Sequence, residues 1–150
     1  KPRRGRAAFL GAMVGEAPSY KEVLAKVNSV LHVSGLNDSV WSIRDCNSGL
    51  FVLLFKKLFT YSRAGYKLPG IISQPANMEE HVSNYEKLLR AISEDVIEMD
   101  LSHISPRKLA DGDNWALFNL AEIFSELCDL LLQHEDDDCQ RPSDPHSAEG

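Results

Sequence analysis

The stretch that decides the fold runs over residues 105–115 and reads Ser-Pro-Arg-Lys-Leu-Ala-Asp-Gly-Asp-Asn-Trp. Ser105 can accept a hydrogen bond at the start of a helix, and Pro106 suits the first helical position. Gly112 can adopt the positive φ of a tight turn, and Asp113 can then cap the next helix. The sequence therefore predicts a short helix, an Asp-Gly turn and a further helix in direct succession.

The last helix is predicted over residues 114–133, because apolar side chains recur there at three-to-four spacing. This spacing places the apolar side chains on one face, which has to be buried against other elements. The residues of this face are Trp115, Leu117, Leu120, Ala121, Phe124, Leu127, Cys128 and Leu131. It is the longest helix that the sequence predicts.

Two earlier segments have the same helical period and clear start signals. Ser19 and Glu22 have the spacing of a capping box, and Gly35 ends the pattern, so a helix is predicted over about 20–34. A second start signal, of the form Asn-x-x-Glu, precedes a helical stripe over about 78–93.

Residues 50–59 are apolar on nearly all sides, with only Lys56 and Lys57 as interruptions. A helix of this kind belongs at the centre of a bundle. A buried strand is the alternative, because Phe and Val also favour strands. Residues 60–76 contain two Gly and two Pro residues and predict a long loop. Residues 96–104 predict an extended or turn-rich connector packed on the core.

The composition is that of one globular domain, with 43% hydrophobic and 25% charged residues among 150 and a net charge of −6. An acidic domain is a poor polyanion binder, so nucleic acid is not an expected partner. No apolar run approaches the ~20 residues that cross a bilayer, so a membrane partner is not expected either. The three cysteines form no C-x-x-C pair and fit a reducing compartment.

Charge and composition divide the chain into three parts. Residues 1–17 open with a cluster of basic residues and are predicted to form a disordered basic segment. Residues 18–133 contain the helical patterns and form the domain. Residues 134–150 are acidic and then rich in Pro and Ser, which predicts a disordered acidic linker.

Motifs of catalysis and metal binding are missing from the sequence, and its five histidines are widely scattered. Residues 111–122 have the length of an EF-hand loop, but the sixth position is Ala116, where the loop needs Gly. His134, Cys139 and His146 are too irregularly spaced to suggest a zinc site. We therefore expect no enzyme activity, no cofactor and no metal.

One local charge feature is a candidate for partner binding. Residues 46–78 contain no acidic residue but four basic ones, here called the basic segment: Lys56, Lys57, Arg63 and Lys67. Such a segment in an acidic domain could bind an acidic surface, such as tubulin or an acidic helix of a partner. A solvated helix end and loop with no partner is the alternative.

The packing is expected to depend on a small set of residues. The two Trp residues are expected to tie elements together, two Phe residues to lie in the core, and the Gly-Asp pair to form the turn before the last helix. These six are Trp41, Phe55, Gly112, Asp113, Trp115 and Phe124. The rest of the expected core is Leu24, Val27, Leu31, Phe51, Leu54, Leu58, Tyr85, Leu89, Leu117, Leu120 and Leu127.

The order of these elements resembles that of a known superfamily. Residues 104–115, with the apolar residues that follow as far as Phe124, resemble the end of a calponin-homology domain. Residues 43–55 look like an earlier buried helix of that fold. Within the superfamily, 40–58 and 100–124 resemble the divergent N-terminal domain of the centrosomal protein of 95 kDa family. The resemblance covers about 20–133 but not the loop at 60–76.

This resemblance implies a non-enzymatic adaptor domain. Members of the divergent group stand at the head of coiled-coil proteins in centrosomes, basal bodies, kinetochores and ciliary transport complexes. Some of them bind microtubules or tubulin through basic residues, and others only dock partner subunits.

The expected molecule is thus an all-α, calponin-homology-like helical bundle with a disordered acidic C-terminal tail. Its expected function is protein interaction within a centrosomal or basal-body coiled-coil protein, with centrosomal proteins and tubulin as candidate partners. Its expected location is the cytoplasm, at the cytoskeleton, centrosome or ciliary basal body. The alternative is a structural dimerisation head with no cytoskeletal ligand.

Overall fold

A computed structural model of the chain describes residues 16–60 and 65–140, with side chains as far as residue 131. These residues form helices and turns without any strand, so the all-α prediction is confirmed for them and the strand alternative for 50–59 is wrong. The α-helices are α1 (Tyr20–Val33), α2 (Ser48–Phe55), α3 (Met78–Arg90), α4 (Pro106–Asp111) and α5 (Asn114–Gln140). Further turns are 3₁₀ at Ile43–Asp45 and π-helical at Lys56–Thr60 and Ala91–Val96.

The ends of α1 follow from its flanking residues. The Ser19 Oγ accepts a hydrogen bond from the Glu22 amide at 3.2 Å, and the Glu22 Oε1 accepts one from the Ser19 amide at 2.8 Å. At the other end Gly35 has a φ of 87°, and the Leu36 amide donates to the Leu31 carbonyl. This is the Schellman geometry, in which a left-handed residue satisfies the last carbonyls of a helix.

The turn between α4 and α5 is formed by the same kind of helix-ending glycine with a positive φ. Gly112 has a φ of 84°, and the Asp113 amide donates to the Lys108 carbonyl at 3.0 Å. The Asp113 Oδ2 accepts a hydrogen bond from the Ala116 amide at 2.9 Å and so caps α5. A Cβ atom on Gly112 would stand 3.2 Å from the Ile43 Cγ2, so glycine is required here both for its φ and for the close approach.

Helix α2 lies at the centre of the bundle. Its Phe51 ring contacts Tyr85 of α3, with centroids 6.2 Å apart, and Phe124 of α5, with centroids 5.9 Å apart. All three side chains are fully buried. Helix α1 packs along α5, and α3 packs against both α2 and α4, so the core lies between the α1–α5 pair and the group of α2, α3 and α4. Of the expected core residues, Leu24, Leu58 and Trp115 are only half-buried.

Helix α5 is longer than the sequence pattern predicts. It continues to Gln140, so the linker predicted from residue 134 is helical in its first part. The physical reason is that neither Gly nor Pro occurs between Gly112 and Pro142 to end the helix. Residues 1–15 and 141–150, for which disorder was predicted, lie outside the described residues.

We expect Phe51→Ala to lower the free energy of unfolding by about 3–5 kcal/mol, because it removes a buried ring from the centre of the bundle. Urea unfolding followed by far-UV circular dichroism measures this change. Leu53→Ala on the same helix is the matched control, because Leu53 is 40% exposed and should cost less than about 1 kcal/mol. Equal losses for the two variants would contradict the central position of Phe51.

Candidate interaction surface

The connector before α3 is held in place by one asparagine side chain. The Asn84 Oδ1 accepts a hydrogen bond from the Ile72 amide at 2.8 Å, and the Asn84 Nδ2 donates to the Ile72 carbonyl at 3.0 Å. Asn84 itself is buried in α3. Because both backbone groups of Ile72 are paired by a fixed side chain, this part of the connector is anchored to the bundle.

A second asparagine holds the connector after α1 in the same way. The Val40 amide donates to the Asn28 Oδ1 at 2.7 Å, and the Asn28 Nδ2 donates to the Val40 carbonyl at 3.0 Å. The sequence analysis missed both asparagines. Asn is a poor residue for a helix interior, so its presence within an apolar helical pattern was a usable signal.

Next to Asn84 lies a serine–histidine pair. The Ser48 Oγ and the His81 Nδ1 lie 2.7 Å apart, and the Asn84 Nδ2 donates to the Ser48 Oγ at 3.4 Å. Ser48 is fully buried at the start of α2, so its hydroxyl cannot reach a substrate. A catalytic serine needs an exposed hydroxyl, so the pair is a hydrogen-bond network that joins α2 to α3.

Two cysteine thiols and one tyrosine hydroxyl that are buried in the core stay protonated at neutral pH. Burial raises the pKa of the Cys46 thiol to about 11, with a smaller contribution from the Asp45 charge. Burial also raises the pKa of the Cys128 thiol to about 11, with a contribution from Asp129. The pKa of Tyr85 is raised by burial as well. Since a thiolate is the reactive form of cysteine, neither thiol is a nucleophile at neutral pH.

The basic segment begins at the end of α2. Lys56 and Lys57 lie in the π-helical turn, Lys56 half-buried and Lys57 exposed. Neither forms an ion pair with a described carboxylate. The exposed Leu53 precedes these lysines by three and four positions, so an apolar side chain lies beside them on the helix surface.

The chain brings Lys67 back to the same end of α2. The Tyr66 amide donates to the Phe59 carbonyl at 3.2 Å, and the two rings are in edge contact, with centroids 5.9 Å apart. Lys67 follows directly and is exposed. Three members of the basic segment therefore lie near one end of the bundle, and Arg63 lies outside the described residues.

Lys57 also lies close to α1. A Cβ atom on Gly35 would stand 3.7 Å from the Lys57 Cε, so this side chain passes over the C-terminal end of α1. A positive charge at that end interacts favourably with the helix dipole and the last carbonyls. Lys57 therefore contributes to the end of α1 as well as to the charge of the basic segment.

Trp41 does not tie elements together, as its size suggested, because its side chain is 84% exposed. The neighbouring backbone gives the reason. Val40 is buried and clamped by Asn28, and the Trp41 amide donates to the Asp45 Oδ2 at 3.0 Å. These contacts fix the backbone with the indole directed away from the core.

Trp115 is half-buried and lines a groove of about 500 Å³ between α1 and α5. Phe118 and Pro18 share the lining, and the Asn114 Nδ2 donates to the Pro18 carbonyl at 3.1 Å. The sequence analysis assigned Trp115 to the core and did not predict this groove. The remaining lining residues are Glu16, Glu22, Ala25, Lys26 and Ser29.

Two further features, a metal-binding cluster and a membrane-spanning helix, are absent from the described residues. No group of three or more His, Cys, Asp or Glu side chains there is placed to hold a metal ion. In the same part of the chain, no helix has both the length and the apolar character needed to cross a membrane.

Comparison with known proteins gives similarities to one family model and to two curated relatives. A model of the family described as "Domain of unknown function (DUF5745)" matches residues 68–127. This match covers α3, α4, the connectors beside them and the first half of α5. No solved structure matches the chain.

Two curated relatives are similar over a longer stretch. The centrosomal protein of 95 kDa from Mus musculus is 29% identical over 118 residues, and its counterpart from Rattus norvegicus is 26% identical over 118 residues. Each alignment covers 79% of this chain and 14% of the relative, so the chain corresponds to a small part of their length. The resemblance to this protein is confirmed, while its calponin-homology character stays a prediction.

We expect Asn84→Ala to expose the Ile72 backbone to exchange with solvent, because both of its hydrogen bonds are lost. Amide hydrogen exchange by NMR should show lost protection at Ile72 with protection retained at Val40. Asn28→Ala is the matched variant and should give the reverse pattern. Each change should also lower the free energy of unfolding by about 1–3 kcal/mol. Loss of protection at both connectors in either variant would contradict independent clamps.

Proposed function

We propose that this chain is a non-enzymatic protein-interaction domain of a centrosomal or basal-body coiled-coil protein. It docks partner proteins at the centrosome, within the cytoskeleton of the cytoplasm. The proposal is supported by the similarity to two centrosomal proteins over 79% of the chain. A helical bundle of the calponin-homology-like kind would be the scaffold, because the sequence resemblance at 104–124 implies it.

The observation that carries the partner-binding part is the exposed end of α2. Lys57 and Lys67 are exposed there, Lys56 is half-buried, and no described carboxylate pairs with any of them. Leu53 adds an apolar contact beside the charges. A surface of this composition suits an acidic partner with an apolar contact point, such as an acidic helix of a coiled-coil protein.

Tubulin is the more specific candidate for this surface. The net charge of −6 opposes the approach of this domain to an acidic filament, so only a local contact through the basic segment can favour binding. Such a contact is electrostatic and must weaken as salt is raised.

We expect the Lys56→Glu/Lys57→Glu double variant to bind microtubules about ten-fold more weakly than the unchanged chain at low salt, because two attractions become repulsions. Co-sedimentation of the 150-residue chain across a salt series measures this. Lys21→Glu/Lys108→Glu is the matched control, since it changes the net charge equally at two exposed lysines elsewhere. Lys56→Glu alone separates binding from the contribution of Lys57 to α1.

Three results decide between the candidates. Salt-sensitive binding that the Lys56/Lys57 reversal removes and the control retains supports a direct microtubule contact. Equal binding by both variants would assign it to the overall charge and remove the proposed surface. No binding at any salt would remove tubulin and leave docking of another centrosomal protein.

A structural dimerisation head is the second candidate, and the exposure of Trp41 favours it. Tryptophan is enriched at the energetic centres of protein interfaces, and this one is 84% exposed on a fixed backbone. If Trp41 forms the contact, sedimentation equilibrium should show a dimer that Trp41→Ala converts to a monomer. Leu130→Ala is the control, because Leu130 is an exposed apolar residue on α5, away from the connector that carries Trp41. A monomer at all concentrations would remove this candidate.

A further inference from the structure

The groove between α1 and α5 is a second surface, separate from the basic segment. Its α1 wall consists of residues at positions 22, 25, 26 and 29, which share one face of the helix. Its α5 wall consists of Trp115 and Phe118, one helical turn apart. The volume of about 500 Å³ lies in an open depression along two helices that are in contact with each other.

The floor of the groove is apolar. Trp115 and Phe118 are both half-buried, and the buried Pro18 accepts a hydrogen bond at its carbonyl from Asn114. Aromatic side chains that are partly exposed in a concave surface give large apolar contact area at low entropic cost. The ridge that fits such a floor is a row of aliphatic side chains on one face of a helix.

The edge of the groove is acidic. Lys26 is neutralised by Glu122, with the Lys26 Nζ 3.2 Å from the Glu122 Oε1. Glu16 and Glu22 form no ion pair with any described cation. Glu22 accepts the capping bond of α1 with one oxygen and keeps its second oxygen for another donor. Among the described residues, the groove edge therefore carries two carboxylates without an ion-pair partner beside an apolar floor.

We propose that this groove binds a short, basic, amphipathic helix of a partner protein. Its apolar face would cover Trp115 and Phe118, and its Lys or Arg side chains would pair with Glu16 and Glu22. The proposal shares with the proposed function only the premise that the domain binds proteins. The partner proposed for the groove is basic, whereas the basic segment requires an acidic partner. One proposal can therefore fail while the other stands.

The competing occupant is part of the same chain. Residues 1–15 contain four basic residues and directly precede Glu16. A linked segment has a high effective concentration at a neighbouring groove and would exclude a partner. Glu16 and Glu22 would attract a basic partner helix and the chain's own basic residues alike. The experiment therefore has to distinguish these two occupants.

The test uses the full chain with Trp41→Phe, so that Trp115 is the remaining tryptophan. The probe is a synthetic peptide of Leu and Lys residues with every Leu on one helical face. The control peptide has Glu in place of each Lys. Binding of the first peptide should shift the Trp115 emission to shorter wavelength, because the helix covers the indole, and the second peptide should leave it unchanged.

Two variants examine the groove itself. Glu16→Gln/Glu22→Gln removes both charges, and the glutamine amide can still accept the capping bond from Ser19; we expect roughly three- to ten-fold weaker binding. Glu86→Gln/Glu94→Gln is the matched control, because both residues are exposed on other elements, and it should bind like the unchanged chain. Ala25→Arg fills the groove from an exposed helical position and should abolish the emission shift.

The outcomes are decisive in both directions. A shift with the Leu/Lys peptide that is weakened at Glu16 and Glu22 and lost with Ala25→Arg supports the proposal. Equal binding of the two peptides, no binding, or binding that Ala25→Arg leaves intact would overturn it. Binding seen only after Arg3→Glu/Arg4→Glu/Arg6→Glu would also overturn it, since the chain's own first residues would then occupy the groove.

Discussion

The contact on which the rest of the structure depends is that of the Phe51 ring with Tyr85 and Phe124. Three helices that are distant in sequence meet at these side chains, and each ring is fully buried. Aromatic pairs at these centroid distances stabilise a fold beyond the area they bury. Helix α2 begins at the fully buried Ser48, and just past its C-terminal end the chain reaches the surface at Lys57. The exposed end carries Lys56 and Lys57, so the core contact determines where the basic segment can be.

The helices could be predicted from the sequence because their signals are local. The capping box of α1, the Ser-Pro start of α4 and the Asp113 cap of α5 each lie within four residues of the bond they form. The lack of a polar face on α2 was equally informative, since a helix that is apolar on all sides has to lie at the centre of the bundle. The extension of α5 to Gln140 could not be predicted in this way, because the acidic residues after His134 are also typical of a disordered linker.

The surfaces were harder to predict because their determinants are not local. Asn28 and Asn84 each clamp a backbone position 12 residues away, which no spacing rule identifies. Trp41 was assigned to the interior by its size, but the clamp on Val40 and the bond to Asp45 hold its backbone at the surface. The groove combines a face of α1 with the first turns of α5, and their pairing exists only in the folded chain.

The two candidate surfaces lie toward opposite ends of α1. Lys57 passes over Gly35 at its C-terminal end, and Glu22 lies in its first turn. At a rise of about 1.5 Å per residue, these positions are separated by about 20 Å along the helix axis. The Debye length at physiological ionic strength is about 8 Å, so each surface is largely screened from the charge of the other. An acidic domain can therefore present a basic contact at one end without neutralisation by the acidic groove. The partners proposed for the two surfaces carry opposite charges, and this separation would keep one surface accessible while the other is occupied.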